Sequence, residues 1–410
     1  MHLNWRKSHF VVTSMLAGMS SAPAWALGPA FSGLFARAET AETVYSNPAG
    51  MSRLEGIHKS GSLLIAQDLS RFEVDEKRTT TDGGDPRDPQ TAFIPAGYYT
   101  RQLNDAWTAG VSVNVPTGFG TFSGPSWAGR YYADAFTLVY VSVAPAVSYQ
   151  LTDQLSVALG GQLMYAGSEI KTRINNDILE PGAPDGRLRA EADGFGYSLS
   201  LSALYAFSPD TRVGFSFRSQ TDIDMEADID VRNSVLPDEV IKAVQGETVD
   251  IADNVPMILG AGLFHRFDND WQLTADVLWI EFSQFGVTQV HLEGENINVP
   301  QPDYDDFFTY TASLSWPIRP GLRAAVGALY LEKPMEDDAR TFGIDLDETW
   351  GVGFGVEIER GNGSTLDVNL NILDTGKAPI DTGDSLFKGR VAGEADDHYT
   401  IVLETAFHWR

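Results

Sequence analysis

Strict alternation of apolar and polar residues, sustained over about ten positions and repeated along the chain, limits the possible folds more sharply than anything else in this sequence. In "HYTIVLETAFHW", Tyr399, Ile401, Leu403, Thr405, Phe407 and Trp409 fall on one face, and His398, Thr400, Val402, Glu404, Ala406 and His408 on the other. "STLDVNLNIL" sets Leu366, Val368, Leu370 and Ile372 against Asp367, Asn369 and Asn371, and "TWGVGFGVEI" sets Trp350, Val352, Phe354, Val356 and Ile358 against glycines and Glu357. A period of two makes these strands, each with one face for an apolar medium.

The connections between strands fall into two classes. Short turns occur at 103–106, 151–154, 208–211, 268–270, 318–321 and 360–364. Long, polar, Gly/Pro/Asp-rich segments occupy roughly 72–90, 117–134, 171–190, 225–253, 293–303, 334–347 and 375–396. Seven long loops alternating with six short turns require fourteen strands, with both chain ends on the short-turn side. A soluble sandwich has no reason to sort its loops by length, whereas an outer-membrane barrel does. The fold class expected is therefore all-β, a 14-stranded antiparallel transmembrane β-barrel. Trp107, Tyr149, Tyr205, Phe207, Phe267, Trp271, Trp316 and Trp409 all flank short turns, as an interfacial aromatic girdle would. Within the fourth long loop, "LPDEVIKAVQ" predicts a short helix beginning near Pro237.

Targeting agrees. Arg6 and Lys7, the apolar run Phe10–Met19 and Ala24-Trp25-Ala26 read as a signal peptide over residues 1–26, which places the mature start near Leu27. Without Arg6 and Lys7, 27 basic residues face 56 acidic ones, a net charge of −29 that argues against a nucleic-acid partner. There is no cysteine, so disulfides and thiolate metal sites are excluded. His58, His265, His291, His398 and His408 show no ligand spacing, and no nucleophile elbow, zincin or P-loop motif occurs. Neither an enzyme, a metal centre nor a cofactor site is expected.

Fourteen strands enclose a lumen too wide for wall side chains to fill, so it must be open or plugged. Residues 27–58 precede the first strand, carry no sustained alternation and contain "NPAG", Asn47-Pro48-Ala49-Gly50, a compact turn. The Gly/Ala-containing start, this turn and fourteen strands ending in an aromatic one resemble the FadL/TodX-type outer-membrane transporters. One departure is that Arg410 follows Trp409 at the end. The resemblance implies that Asn47, Pro48, Ala49 and Gly50 belong to an N-terminal hatch within the lumen. It divides the chain into a signal (1–26), a hatch (27–58) and a barrel (59–410). It also implies passive uptake of hydrophobic molecules, long-chain fatty acids or aromatic hydrocarbons.

Alternation gives the lumen a mixed lining. Gly351, Gly353, Gly355, Ser198, Ser200, Ser202, Thr309, Thr311 and Ser313 are small or hydroxylic, while Phe264, Leu278, Ile280, Phe282, Leu329 and Leu331 are apolar. Apolar lining suits a greasy passenger better than water. In the second long loop, Phe119, Phe122, Trp127, Tyr131 and Tyr132 stand among glycines and offer either a capture surface or a loop packed on itself. Arg218 is the lumen-parity cation that would meet a carboxylate, with Arg130, Lys171 and Arg173 as alternatives nearer the mouth, and ion pairing with neighbouring acids is the simpler role for each. In "DIDMEADID", Asp222, Asp224, Glu226, Asp228 and Asp230 share a face, either solvated or holding divalent cations beside lipopolysaccharide.

The third strand is regular through Val111, Val113 and Val115, then meets Pro116, Gly118 and Gly120. Proline lacks the N–H that the ladder needs, so pairing should break there, or lower at Gly110. The resemblance implies that such a kink is a lateral opening into the membrane. Pro116 ending the strand at the loop is the plainer alternative. The expectation for function is an outer-membrane channel for hydrophobic molecules, chiefly long-chain fatty acids, acting as a monomer among outer-membrane lipid and lipopolysaccharide. A porin for hydrophilic solutes and a transporter of aromatic hydrocarbons or alkanes are the alternatives.

Overall fold

The computed structural model describes residues 32–410 except 88–90, 246–248, 293–294, 299–302, 345, 362 and 397. The expected signal peptide and the first five hatch residues lie outside the described residues. Among those described, fourteen antiparallel strands close into one barrel, the first pairing with the last from Lys59↔Trp409 to Asp68↔Thr400. The first six strands are Ile57–Asp68, Thr91–Gln102, Trp107–Phe122, Ala135–Gln150, Leu155–Ile174 and Gly186–Ser208. The next four each run in two pieces. These are Thr211–Arg218 with Thr221–Arg232, Val249–Val255 with Ile258–Arg266, Gln272–Ile280 with Gly286–Leu292, and Glu295–Asn298 with Phe307–Arg319. Leu322–Leu331, Thr349–Glu359, Thr365–Asp374 and Tyr399–Trp409 complete the count.

The alternation is carried into the wall. Leu199, Leu201, Phe215, Val352 and Phe354 are exposed on the outside, while Ser198, Ser202 and Ser216 are buried inside. Such an apolar outer belt requires lipid. The girdle forms from contacting pairs: Trp107 on Tyr149 at 4.7 Å, Tyr205 on Phe207 at 4.9 Å and Trp271 on Trp316 at 5.7 Å between ring centres. A second row, Tyr310–Tyr330–Trp350, lies toward the long-loop end.

All six short turns fall where the spacing places them, but three long loops are shorter than the sequence suggests. The third strand extends to Phe122, the sixth is 23 residues long, and the acidic run lies within Thr221–Arg232. Strands well beyond the ~10 residues that cross a bilayer carry the barrel above it. Polar loop composition conceals this because such extensions face water. In the acidic run Ile223, Met225 and Ala227 point inward, while Asp222, Asp224, Glu226 and Asp228 are exposed outside. Among the described residues no acidic group is arranged to hold a metal ion. The predicted helix forms at Asp238–Gln245.

The loops fold over the mouth rather than hanging free. A three-stranded sheet joins Arg71–Val74 of the first long loop to Ile380–Asp381 and Ala392–Asp396 of the last. Trp127, Phe72 and Phe342, from three different loops, pack edge to face around it.

Candidate functional site

Residues 32–56 bond to side chains from opposite parts of the wall, which is possible only from inside the lumen. The turn at the centre is self-organised first. A short helix, Thr43–Ser46, is followed by a 3-10 helix, Pro48–Arg53, capped by Asn47, whose Oδ1 accepts the Ala49 N–H at 3.2 Å. Pro48 fits the first helical position because its missing N–H would have no partner there. The Asn47 amide then donates to the carbonyls of Phe35 and Ala203, joining the plug to itself and to the sixth strand. Ala49 takes two wall hydroxyls: its N–H donates to Ser202 Oγ at 2.9 Å and its carbonyl accepts from Ser156 Oγ at 2.8 Å.

Two buried charges hold the rest. Asp276 of the ninth strand accepts the N–H groups of Gly33, Leu34 and Phe35. Arg212 of the seventh donates to the carbonyls of Ala36 and Arg37 and stacks on Phe264 at 3.8 Å. Converging N–H groups on one carboxylate are charge-assisted, the stronger class of hydrogen bond.

The wall is thinned where the plug approaches. A Cβ on Gly110 would lie 2.7 Å from Met51 Sδ and from Val44 Cγ2, and one on Gly214 or Gly260 would collide with Phe35. Gly110 therefore makes room for the plug and keeps its ladder, pairing with Thr100 and Ala146. The expectation of a break there is corrected.

The break lies above it. The second and third strands pair only from Gln102↔Thr108 to Gly97↔Val113. Thr91–Ala96 continue beside the first strand, and the third strand continues beside the fourth, with a bulge between Asn114 and Thr117 that contains Pro116. From Asn114 to Gly120 every residue is buried, so the inside–outside alternation has stopped. Val115 packs with Leu64, Ile94, Val139 and Val402 across the interior. The strand has stepped inward, and Pro116 sits within it rather than at its end. Gly118 is on the far side of the bulge, opposite Val139. A cavity of about 220 Å³ reaches from the plug to this point, lined by Ile94, Ala96, Asn114, Val115 and Pro116.

Above the break the lumen holds an apolar cluster that includes Phe119, Tyr140, Met164, Ile280, Phe282, Phe307 and Leu329. Phe282 stacks on Phe285 at 4.9 Å. Phe264 is elsewhere, packed with Ala36, Ala38 and Ala49 beneath Arg212. Of the loop aromatics, Trp127 is 2 % and Tyr131 6 % exposed. Trp127 donates to the Ala133 carbonyl, Tyr131 to Asp185 and Tyr132 to the Gly389 carbonyl, while Phe122 is half-buried at the strand end. These rings bind the loops together, so the exposed-aromatic surface is not formed.

The cations are likewise engaged. Arg218 donates to the Tyr45 hydroxyl at 2.7 Å and the Tyr45 carbonyl at 2.9 Å, with its guanidinium 4.0 Å above that ring. Arg130 pairs with Asp82 and Asp185, Arg173 with Asp134, and Lys171 with Glu169. Arg130 holds the Asp82 carboxyl below its ordinary range. Asp276, Arg212 and Tyr45 were not singled out from the sequence. A charge at lumen parity within a strand is the signal that marks Asp276 and Arg212.

A closed barrel with an apolar belt, loops folded over one mouth and an N-terminal segment bonded to the inner wall defines an outer-membrane barrel protein. A profile of the family described as Outer membrane protein transport protein (OMPP1/FadL/TodX) matches residues 14–406, and the chain belongs to this family. It is a family of transport proteins rather than enzymes. A long-chain fatty acid transport protein of Escherichia coli O6:H1 is 21 % identical over 397 residues, covering 87 % of this chain and 86 % of the relative. The fold is that of a Pseudomonas aeruginosa FadL homologue, with a TM-score of 0.80 at 15 % identity over 96 % of this chain and 99 % of that one. It is also similar to the P. putida toluene transporter TodX, with a TM-score of 0.65 at 14 % identity over 93 % and 98 % of the two chains. The protein is thus an outer-membrane transport protein.

Proposed function

We propose that this chain takes up hydrophobic molecules passively and releases them sideways into the outer membrane through the break between the second and third strands. Residues 32–56 act as the hatch, and the apolar cluster around Phe282 and Leu329 receives the passenger beneath the folded loops. The observation that carries this reading is the ladder, which stops at Gly97↔Val113 although both strands continue upward. A barrel has no natural edge, so unpaired strand length facing lipid must serve something. A hydrophobic molecule also gains nothing by crossing the periplasmic water. Passage of hydrophilic solutes is disfavoured because residues 32–56 and the apolar cluster both lie in its path.

The test is a disulfide between Ala96→Cys and Asn114→Cys, the first unpaired lumen-facing positions. Oxidation should stop uptake and reduction should restore it. Uptake at full rate with the cross-link verified excludes the lateral route.

A further inference from the structure

The cavity beside the break has an unusual charge balance. Its lining includes four carboxyl groups, Glu39, Glu42, Asp367 and Glu404, against one guanidinium, Arg37. Arg37 is already committed, 3.2 Å from Glu39 and 2.6 Å from Glu357. His408 is committed too, at 2.8 Å from Ser60 and 3.3 Å from Asp367. Arg212 and Arg266 also reach Glu39, at 3.5 and 3.0 Å, and Arg218 is held by Tyr45. A passenger reaching the break therefore meets Glu42 of the plug and Glu404 of the fourteenth strand, beside two acids that are already paired, Glu39 and Asp367.

The same wall offers an acceptor with nothing to accept. Asn369 is 4 % exposed and lines the cavity, and its amide donates to Glu404 at 3.3 Å. Its Oδ1 has no hydrogen-bond partner, nor has Oδ1 of the neighbouring Asp367. A buried acceptor left unpaired has lost its hydration without a replacement, so a ligand O–H is favoured there.

Resting on the reading of the break as an exit, we propose that the exit chamber accepts the uncharged, hydrogen-bond-donating head of an amphiphile, an alcohol, a phenol or a protonated acid, and rejects the carboxylate anion. Asn369 Oδ1 receives the O–H, while the chain lies along Leu64, Ile94 and Val115. Burial already pushes the plug's own Glu42 carboxyl above its ordinary range. A chamber whose burial disfavours charge on its own acid disfavours it on a second one for the same reason, the loss of hydration by the charged form.

The test uses the full chain, expressed in cells whose own channels of this class are deleted and whose lipopolysaccharide is intact. Radiolabelled 1-decanol, decanoate and decyl methyl ether are supplied at pH 8, where decanoate is ionised. Decanol should enter at least tenfold faster than decanoate, and also faster than the ether, which has no O–H to give. Glu404→Gln, or Glu42→Gln if the first variant fails to fold, should raise decanoate uptake severalfold. Decanoate entering as fast as decanol, with the Ala96–Asn114 disulfide still blocking both, overturns this proposal and leaves the lateral exit standing. Ether entering as fast as decanol overturns the role of Asn369. A disulfide that blocks none of the three removes the exit itself, and the proposal with it.

Discussion

Gly110 and Met51 approach so closely that a methyl group on the glycine would lie 2.7 Å from the methionine sulfur. One is in the wall and the other in the plug. Each lumen-facing glycine at such a contact replaces a side chain by plug, which is how a wide barrel becomes a filled one.

Gly110→Val should therefore push the plug from its seat. Several heavy atoms would have to share the space of Met51 and Val44, and overpacking of a filled core typically costs about 1–3 kcal/mol. The variant should insert normally and show raised ion conductance in planar bilayers. Conductance equal to the parent's would mean that the plug adjusts without opening.

Deleting residues 27–50 removes the contacts to Asp276, Arg212, Ser156 and Ser202 together. The remaining strands close on one another through the first and last, so the barrel should still assemble. It should conduct ions freely. Failure to conduct would show that the apolar cluster alone closes the lumen.

Asp276→Ala leaves the N–H groups of Gly33, Leu34 and Phe35 without their acceptor inside a buried site. Hydrogen bonds to a charged group are worth about 1.5–3 kcal/mol each, so the start of the plug should detach. Cleavage of residues 32–37 by a protease added on the periplasmic side reads this directly. Protection as complete as in the parent would show that the plug is held by packing rather than by Asp276.

Arg218→Ala should act on the plug and not on a headgroup, because its guanidinium donates to the hydroxyl and the carbonyl of Tyr45. Uptake of a fatty acid and of an uncharged hydrocarbon should change by the same factor. A loss confined to the carboxylate would instead place Arg218 at the ligand.

The loop cap carries its own pH limit. Arg390 donates to both oxygens of Asp381, at 2.9 and 2.7 Å, and holds that carboxyl at about 2, below its ordinary 3.8. A depressed carboxyl stabilises the fold fully above its unfolded value, and the effect is lost as pH falls through the folded one. Protease resistance of the last long loop should thus persist from pH 7 to pH 4 and fall between pH 4 and pH 2. Loss already at pH 5 would show that this pair does not hold the loop.

Alternation is written locally, since each residue of a strand takes the face opposite its neighbour's. Strand number, turn positions, the aromatic girdle and the lumen parity of Ser202 and Leu329 were therefore legible in the chain. The resemblance carried by Asn47-Pro48-Ala49-Gly50 implies a plug, and residues 33–49 hydrogen-bond to Ser156, Ser202, Arg212 and Asp276 of the wall. Tertiary structure decided which wall residues meet that plug. Ser202 and Ala49 are 153 positions apart and Asp276 and Gly33 are 243, and no short window couples such pairs. It also decided that Gly110 serves contact while Pro116 marks the break, two residues that look alike as strand disruptors. Whether Trp127 and Tyr131 form a capture surface or pack within the loops stays open in the sequence for the same reason, because the ring of Phe342 and the carboxylate of Asp185 that cover them come from other loops. Local periodicity fixes where a side chain points, and only closure of the barrel fixes what it finds there.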